Sequence, residues 1–289
     1  MRVANAIDLH CHFGPDTVGG RLDADPGYGV SALQAAREAA VEGYAALVLK
    51  SHSFASPALA AAMTEAVPDL RVFGGICTDF PSGGLNVAAV EAALAIGARI
   101  VWLPTLHSYQ DVSRHNPTGV DGPGLRVIDD RGRVVPEVQE IFAMVCQKGA
   151  VLATGHVTAE EHHAVVREFA RQGKVLVTHA GEELAGPGLT GAQCFELAEM
   201  GATIELTALT CQSVFGTKGK SPAQMLEMIS AIGPYRCTLS SDYGWSTMVP
   251  KPASGLTDFL ESLWVEGLAE EDIATMVATN PAQLLGLRD

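Results

Sequence analysis

His10-Cys11-His12 places two imidazoles two residues apart. On an extended strand such side chains point to the same side, so both rings can face one ion. Divalent metals such as zinc accept imidazole nitrogen at about 2.0–2.1 Å. Taken alone, the pair reads as well as two polar residues at a strand end, satisfied by backbone. Three more residues of ligand type shift that balance. His156, His179 and Asp242 each stand at the end of a short apolar run, as His10 and His12 do. His52 and His107 fall at comparable places, and only His115, His162 and His163 lie elsewhere. Random placement seldom brings five ligand-type residues to the ends of four such runs.

Ligands scattered over the chain need a frame that gathers strand ends at one mouth. Runs rich in Val, Ile and Leu at 6–10, 45–51, 71–77, 99–104, 150–155, 174–179, 202–207 and 236–241 read as parallel strands covered on both faces. Helical periods lie between and after them, at 30–43, 57–67, 85–97, 136–149, 158–173, 189–201, 221–233, 254–267 and 270–278. Several helices end on a glycine (Gly43, Gly97, Gly149, Gly173, Gly201), which closes a helix in the left-handed conformation. Pro136 and Pro222 suit first turns. Eight strands alternating with helices predict a (β/α)8 TIM barrel, an α/β fold, with a doubly wound open sheet as the competitor. In the barrel, catalytic groups come from the C-terminal ends of several strands. No low-complexity linker divides the chain, so 1–289 reads as one barrel domain. A loop and hairpin insertion at 105–135 carries a turn at Asp130-Arg131-Gly132, and its length suits an active-site cover.

Composition narrows the function. Of 289 residues 47% are apolar and 18% charged, and the formal net charge of −14 argues against a nucleic-acid partner. The six cysteines form no Cys-x-x-Cys pair and read as reduced thiols of a cytoplasmic protein, which disfavours a zinc ribbon. The first twelve residues show no secretory pattern, and no run approaches a membrane span. The expected partner is a small-molecule substrate, with a homo-oligomer also admitted.

Four stretches carry a resemblance. Ile7-Asp8-Leu9-His10-Cys11-His12, Thr178-His179-Ala180, Ser241-Asp242 and Thr279-Asn280-Pro281-Ala282-Gln283-Leu284-Leu285-Gly286-Leu287 resemble, in order, the amidohydrolase superfamily of metal-dependent hydrolases. The match runs from residue 7 to residue 287. It implies that His10, His12 and Asp242 bind one divalent metal. His156 and His179 then bind a second or help position the substrate. Zinc is the expected ion, with manganese as an alternative, in one or two copies.

The sequence departs from that pattern at strand four. Two-metal members supply a bridging carboxylated lysine or glutamate there, whereas this chain has Arg99-Ile100-Val101-Trp102-Leu103-Pro104. The nearest substitute is Lys50 on strand two. It reads as a carboxylated bridging ligand, a substrate-binding lysine, a salt-bridge partner or a rim-exposed lysine. His52, of the same strand parity, and His107 and Arg114, on the loop after strand four, are candidate substrate contacts; an ordinary polar loop is the plain alternative for the last two. Glu205 reads as an orienting group or as a buried acid paired with Lys50 or Arg236. Gly19-Gly20 and Gly83-Gly84 make no phosphate-binding motif and are expected in turns.

The chemistry expected of such a site is hydrolysis by metal-activated water, with Asp242 taking the proton and returning it to the leaving group. An amide or cyclic amide is the expected bond. Lactone or phosphoester hydrolysis, and metal-dependent decarboxylation or isomerisation, are the alternatives. A barrel that only binds a ligand is a third reading.

Overall fold

The computed structural model describes residues 3–16, 29–214 and 216–287. Gly19-Gly20 therefore lies outside the described residues. In chain order the elements are β1 (Ile7–His12), α1 (Ala32–Val41), β2 (Ala46–Lys50), α2 (Pro57–Ala66), β3 (Arg71–Cys77), α3 (Val87–Ala95) and β4 (Ile100–Trp102). Next come α4 (Tyr109–Arg114), α5 (Pro136–Lys148), β5 (Val151–Ala153), α6 (Ala159–Phe169), β6 (Lys174–Val177) and α7 (Gly191–Glu199). The chain continues through β7 (Thr203–Thr207), α8 (Pro222–Ile232), β8 (Cys237–Ser240), α9 (Pro252–Glu266) and α10 (Glu270–Ala274), then a π turn at Thr275–Thr279 and α11 (Asn280–Leu285). All eight strands pair in parallel in the order β1 to β8, the (β/α)8 arrangement rather than an open doubly wound sheet.

The strands sort their side chains by parity. Ile7, Leu9, Ala46, Val48, Ile100, Trp102, Val151, Ala153 and Leu176 pack together inside the barrel with Leu284 and Leu285 of α11. The alternate positions, such as Leu47, Leu49, Val101, Leu152 and Val175, join the larger layer against the helices. Lys50 and Trp102 share the inward parity, and both are fully buried. The terminal Asn280 has a structural use: its side-chain nitrogen donates to the carbonyls of Pro234 (2.9 Å) and Cys237 (2.7 Å), where β8 begins.

The seam between β1 and β8 is closed largely by backbone and side-chain bonds at the functional end. Asp242 N–H donates to His10 O (2.9 Å), and His12 N–H donates to Tyr243 O (2.9 Å). Asp8 accepts from the backbone N–H groups of His10 (3.0 Å) and Ser241 (3.1 Å) and from the Ser241 hydroxyl (2.5 Å). The β1–β2 register shifts between Asp8 and Cys11. Such an irregularity re-aims side chains, so Leu9 and His10 both reach the interior.

Among the described residues, no helix is long and apolar enough to cross a membrane. The 105–135 segment contains α4 and an antiparallel bridge between Ile128 and Val134. Gly83 and Gly84 both have positive φ in the turn after β3. Gly155, which leads from β5 to His156, has φ +71°, and a Cβ there would lie 2.3 Å from Leu103 O and 2.5 Å from Pro104 O. Gly155→Ala is therefore expected to destabilise the protein by about 3 kcal/mol or more, combining a left-handed strain with a backbone clash. Thermal denaturation measures it, and an unchanged midpoint contradicts the packing described.

Candidate metal centre

His10 stands at the middle of the site. Its Nδ1 lies 3.0 Å from Glu205 Oε2, and its Nε2 lies 3.0 Å from Asp242 Oδ1 and 2.9 Å from Lys50 Nζ. His12 Nε2 is 3.1 Å from the same Asp242 oxygen. His12 stacks on His52 (centroids 5.0 Å apart), while His179 lies 5.8 Å from His10 and 4.6 Å from His156. All of these side chains are buried. The strand ends have thus brought His10, His12, His52, His156, His179, Asp242 and Lys50 to one mouth.

Two backbone outliers fall within it. His179 has φ +26° and Asp242 φ +57°, and neither is glycine or asparagine. Such conformations cost about 1–3 kcal/mol each and persist where surrounding bonds over-determine them. Here His179 N–H donates to Glu205 Oε2 (3.1 Å), and Asp242 is tied by the seam bond to His10.

Burial and charge set the protonation states. Burial works against ionisation of Asp242, yet the charge and hydrogen bond of His10, with the bond from His12, hold it well below the usual carboxylate range. Burial also opposes ionised Glu205, and His10 outweighs it. His12 is pushed down to about 3 and His179 to about 4, in both cases chiefly by burial, so both are neutral at neutral pH. His156 is lowered as well, by burial and then by His179.

The donor set fits a divalent cation. The ligand atoms of His10, His12 and Asp242 lie within 4.8 Å of one another and are buried. If His10 gives its Nδ1–H to Glu205, its Nε2 lone pair faces an ionised carboxylate oxygen at 3.0 Å. Burial works against a charged His10, but the Asp242 and Glu205 carboxylates raise its pKa to about 9, so a proton holds the place between Nε2 and Asp242 that a metal ion would take. His12 Nδ1 and both ring nitrogens of His179 are buried with no hydrogen-bond partner. Such orphaned groups need an explanation, and an ion or ordered water is one.

Several expectations are revised. Lys50 is not at the rim: it is wholly buried, donates toward His10 Nε2 and lies 5.7 Å over the Trp102 ring. Glu205 pairs with His10 rather than with Lys50, and Arg236 pairs with Glu199 (Nη1 to Oε1). Trp102 takes the inward place on β4 where a bridging lysine would stand.

His52 and His107 sit around Asp79. His52 Nδ1 is 2.6 Å from Thr105 Oγ1, whose hydroxyl donates to Asp79 Oδ2. Asp79 Oδ1 accepts the backbone N–H groups of Thr105 (2.9 Å) and His107 (3.0 Å), and His107 Nδ1 lies 3.3 Å away. His52, Cys77 and Asp79 form a second group of metal-ligand type. Asp79, however, has its lone pairs engaged in fixing the loop after β4. Arg114 Nη1 donates to the carbonyls of Gly186 (2.7 Å) and Glu183 (3.3 Å).

Four acids that position the site escaped the sequence reading. Asp79 follows β3 as Asp242 follows β8, a signal the sequence carried. Asp8 sits in an apolar strand, which also marks it. Asp111, bonded to His156 Nδ1 at 2.7 Å, had no such mark. Glu182, three residues past His179, accepts Leu184 N–H (2.9 Å) and Ala185 N–H and shapes its loop.

Solved structures similar to this chain include enzymes with the same barrel fold. An amidohydrolase from Pseudomonas aeruginosa superposes with a TM-score of 0.63 at 12% identity, over 98% of this chain and 95% of that one. A dipeptidase described as a metallopeptidase gives 0.60 at 15% identity, over 98% of each chain. A 2,6-dihydroxybenzoate decarboxylase gives 0.63 at 12% identity, over 99% of this chain and all of that one. At such identities these are likenesses of fold, and the fold is that of the amidohydrolase-type barrel. Comparison with curated proteins gives no match. The model of a protein family of unknown function, DUF6282, matches residues 5–205, well over half of the chain, and the chain belongs to that family.

Proposed function

We propose that this protein is a metal-dependent hydrolase acting on an amide or cyclic amide bond of a small molecule. The observation that carries the reading is the meeting of His10 Nε2 and His12 Nε2 on one oxygen of Asp242, at 3.0 and 3.1 Å, a buried donor set of the kind that holds a divalent cation. His10, His12 and Asp242 would hold that cation, and His179 and His156 complete the wall of the site. A divalent ion bound there, zinc or manganese, would supply Lewis acidity for lowering the pKa of a water molecule and polarising a carbonyl.

The remaining chemistry belongs to the chain. Asp242 is ionised at neutral pH, accepts the proton of the attacking water and returns it to the departing nitrogen. Glu205 holds the His10 ring by its Nδ1 and thereby directs Nε2 inward. Buried walls exclude bulk water and strengthen each of these interactions. Lys50 enters with its Nζ against His10 Nε2 at 2.9 Å. Alternatively its amine adds carbon dioxide and loses a proton, and the resulting carbamate would join the residues that hold the cation. Native mass measurement separates the two by the mass of one CO2. His52 and His107 are proposed as substrate contacts, whereas Arg114 is already engaged with backbone carbonyls.

A second reading keeps the ion and changes the reaction to decarboxylation. It is favoured by the fold likeness to the dihydroxybenzoate decarboxylase, which covers nearly all of both chains. Assays of the zinc- and manganese-loaded protein on lactams, imides and lactones, beside aromatic carboxylic acids, decide between them. Ring opening of an imide or lactam supports the amide reading. Release of carbon dioxide with no ring opening overturns it.

A further inference from the structure

The short helix α4 touches His156 directly and bonds to the loop that lies against His179. Its Asp111 is buried and reaches His156 Nδ1 at 2.7 Å through Oδ2, while Oδ1 has no partner. From the adjoining positions of the same helix, Gln110 Nε2 (3.3 Å) and Arg114 Nη1 (2.7 Å) donate to Gly186 O. Gly186 lies against His179: a Cβ there would sit 3.5 Å from His179 Nδ1 and 3.0 Å from Glu182 O. Within the 182–188 loop Glu182 accepts Leu184 and Ala185 N–H groups and Gly188 N–H donates to Glu182 O. Glu182 N–H donates to His179 O (2.9 Å), Arg114 Nη1 donates to Glu183 O (3.3 Å), and Lys220 Nζ lies 3.6 Å from Glu183 Oε1.

The helix is itself held down. Ser108 caps it through Asp111 N–H (3.1 Å), and Tyr109 N–H donates to Leu125 O (2.7 Å). Leu125 N–H returns a bond to His107 O (2.7 Å), and the Arg126 guanidinium lies over the Tyr109 ring at 4.4 Å. A six-residue helix has little stability of its own, so these ties determine where Asp111 and Arg114 stand.

We propose that α4 is a positioning element: Asp111 fixes the ring of His156 with Nε2 toward the barrel mouth, and Arg114 holds the 182–188 loop over His179. A carboxylate bonded to the far nitrogen of an imidazole fixes ring rotation, and losing such a partner costs about 10–100-fold in metal affinity. Only this consequence for cation binding rests on the metal-centre reading. The ring and loop positions do not.

The test uses the full chain and the substitutions Asp111→Asn, Asp111→Ala and Arg114→Ala. Cobalt(II) is titrated into each. Both Asp111 variants are expected to bind it about 10–100-fold more weakly than the unsubstituted protein. Long-range 1H–15N spectra of histidine-labelled, metal-free protein give the second readout. Asp111→Asn should move the His156 ring nitrogens and leave those of His10, bonded to Glu205, in place. Arg114→Ala should leave His156 unmoved and raise amide exchange across 182–188 by at least about tenfold, as expected when a loop loses its ties. Unmoved His156 nitrogens in both Asp111 variants, or unchanged exchange in Arg114→Ala, overturn the proposal. If the unsubstituted protein takes up no cobalt, the metal reading fails, and the spectra and exchange alone decide this one.

Discussion

Asp242→Asn is expected to lower kcat about a thousandfold on any substrate the metal-loaded protein turns over, within the range that a positioned acid–base group contributes. The asparagine keeps an oxygen toward His10 and His12, so the cation site and the fold should persist. What disappears is the proton acceptor. Asp242 sits in a left-handed backbone conformation with its N–H tied to His10 O, and asparagine tolerates that conformation well. The loss should therefore fall on kcat more than on stability. Steady-state kinetics beside a thermal melt separate the two effects. Near-normal turnover in a folded Asp242→Asn protein contradicts the assigned role.

The double substitution His10→Ala/His12→Ala should remove the cation altogether. Even outer partners of a ligand cost about 10–100-fold in affinity, so loss of two inner donors should exceed a hundredfold. Linkage offers a readout independent of activity. An ion held only by the folded state, at a hundred times its Kd, stabilises by about 2.7 kcal/mol. Zinc is then expected to raise the melting temperature of the unsubstituted protein and not that of the double variant. An equal shift in both would place the ion elsewhere, with the His52–Cys77–Asp79 group the first place to look.

The parts of this molecule that could be read from sequence share a physical cause. Parallel strands covered on both faces must be almost continuously apolar, so runs such as Ala-Leu-Val-Leu and Lys-Val-Leu-Val announce themselves. Histidines at the ends of those runs stand out against them, which made His10, His12, His156 and His179 visible. The segment after β4 obeys no such pattern. Helix α4 is one polar turn and a half, held by Ser108 and by bonds to Leu125, and its residues show no apolar period. Asp111 therefore had no signal, although it bonds directly to His156.

Lys50 illustrates a different limit. Its inward parity followed from the strand period, and the buried position agrees with it. Whether it sat at the rim or within depended on how far β2 runs up the barrel and on Trp102 opposite. Neither is encoded within the strand itself. Strand ends were likewise overextended for β4, β5 and β8, because the chain turns toward the mouth while its sequence stays apolar.

Crystals of the protein grown with zinc, measured for anomalous scattering at the zinc edge, test the central claim most directly. The account predicts a peak in contact with His10 Nε2, His12 Nε2 and an Asp242 oxygen. A site without that peak, with Lys50 Nζ still bonded to His10 Nε2, would contradict it.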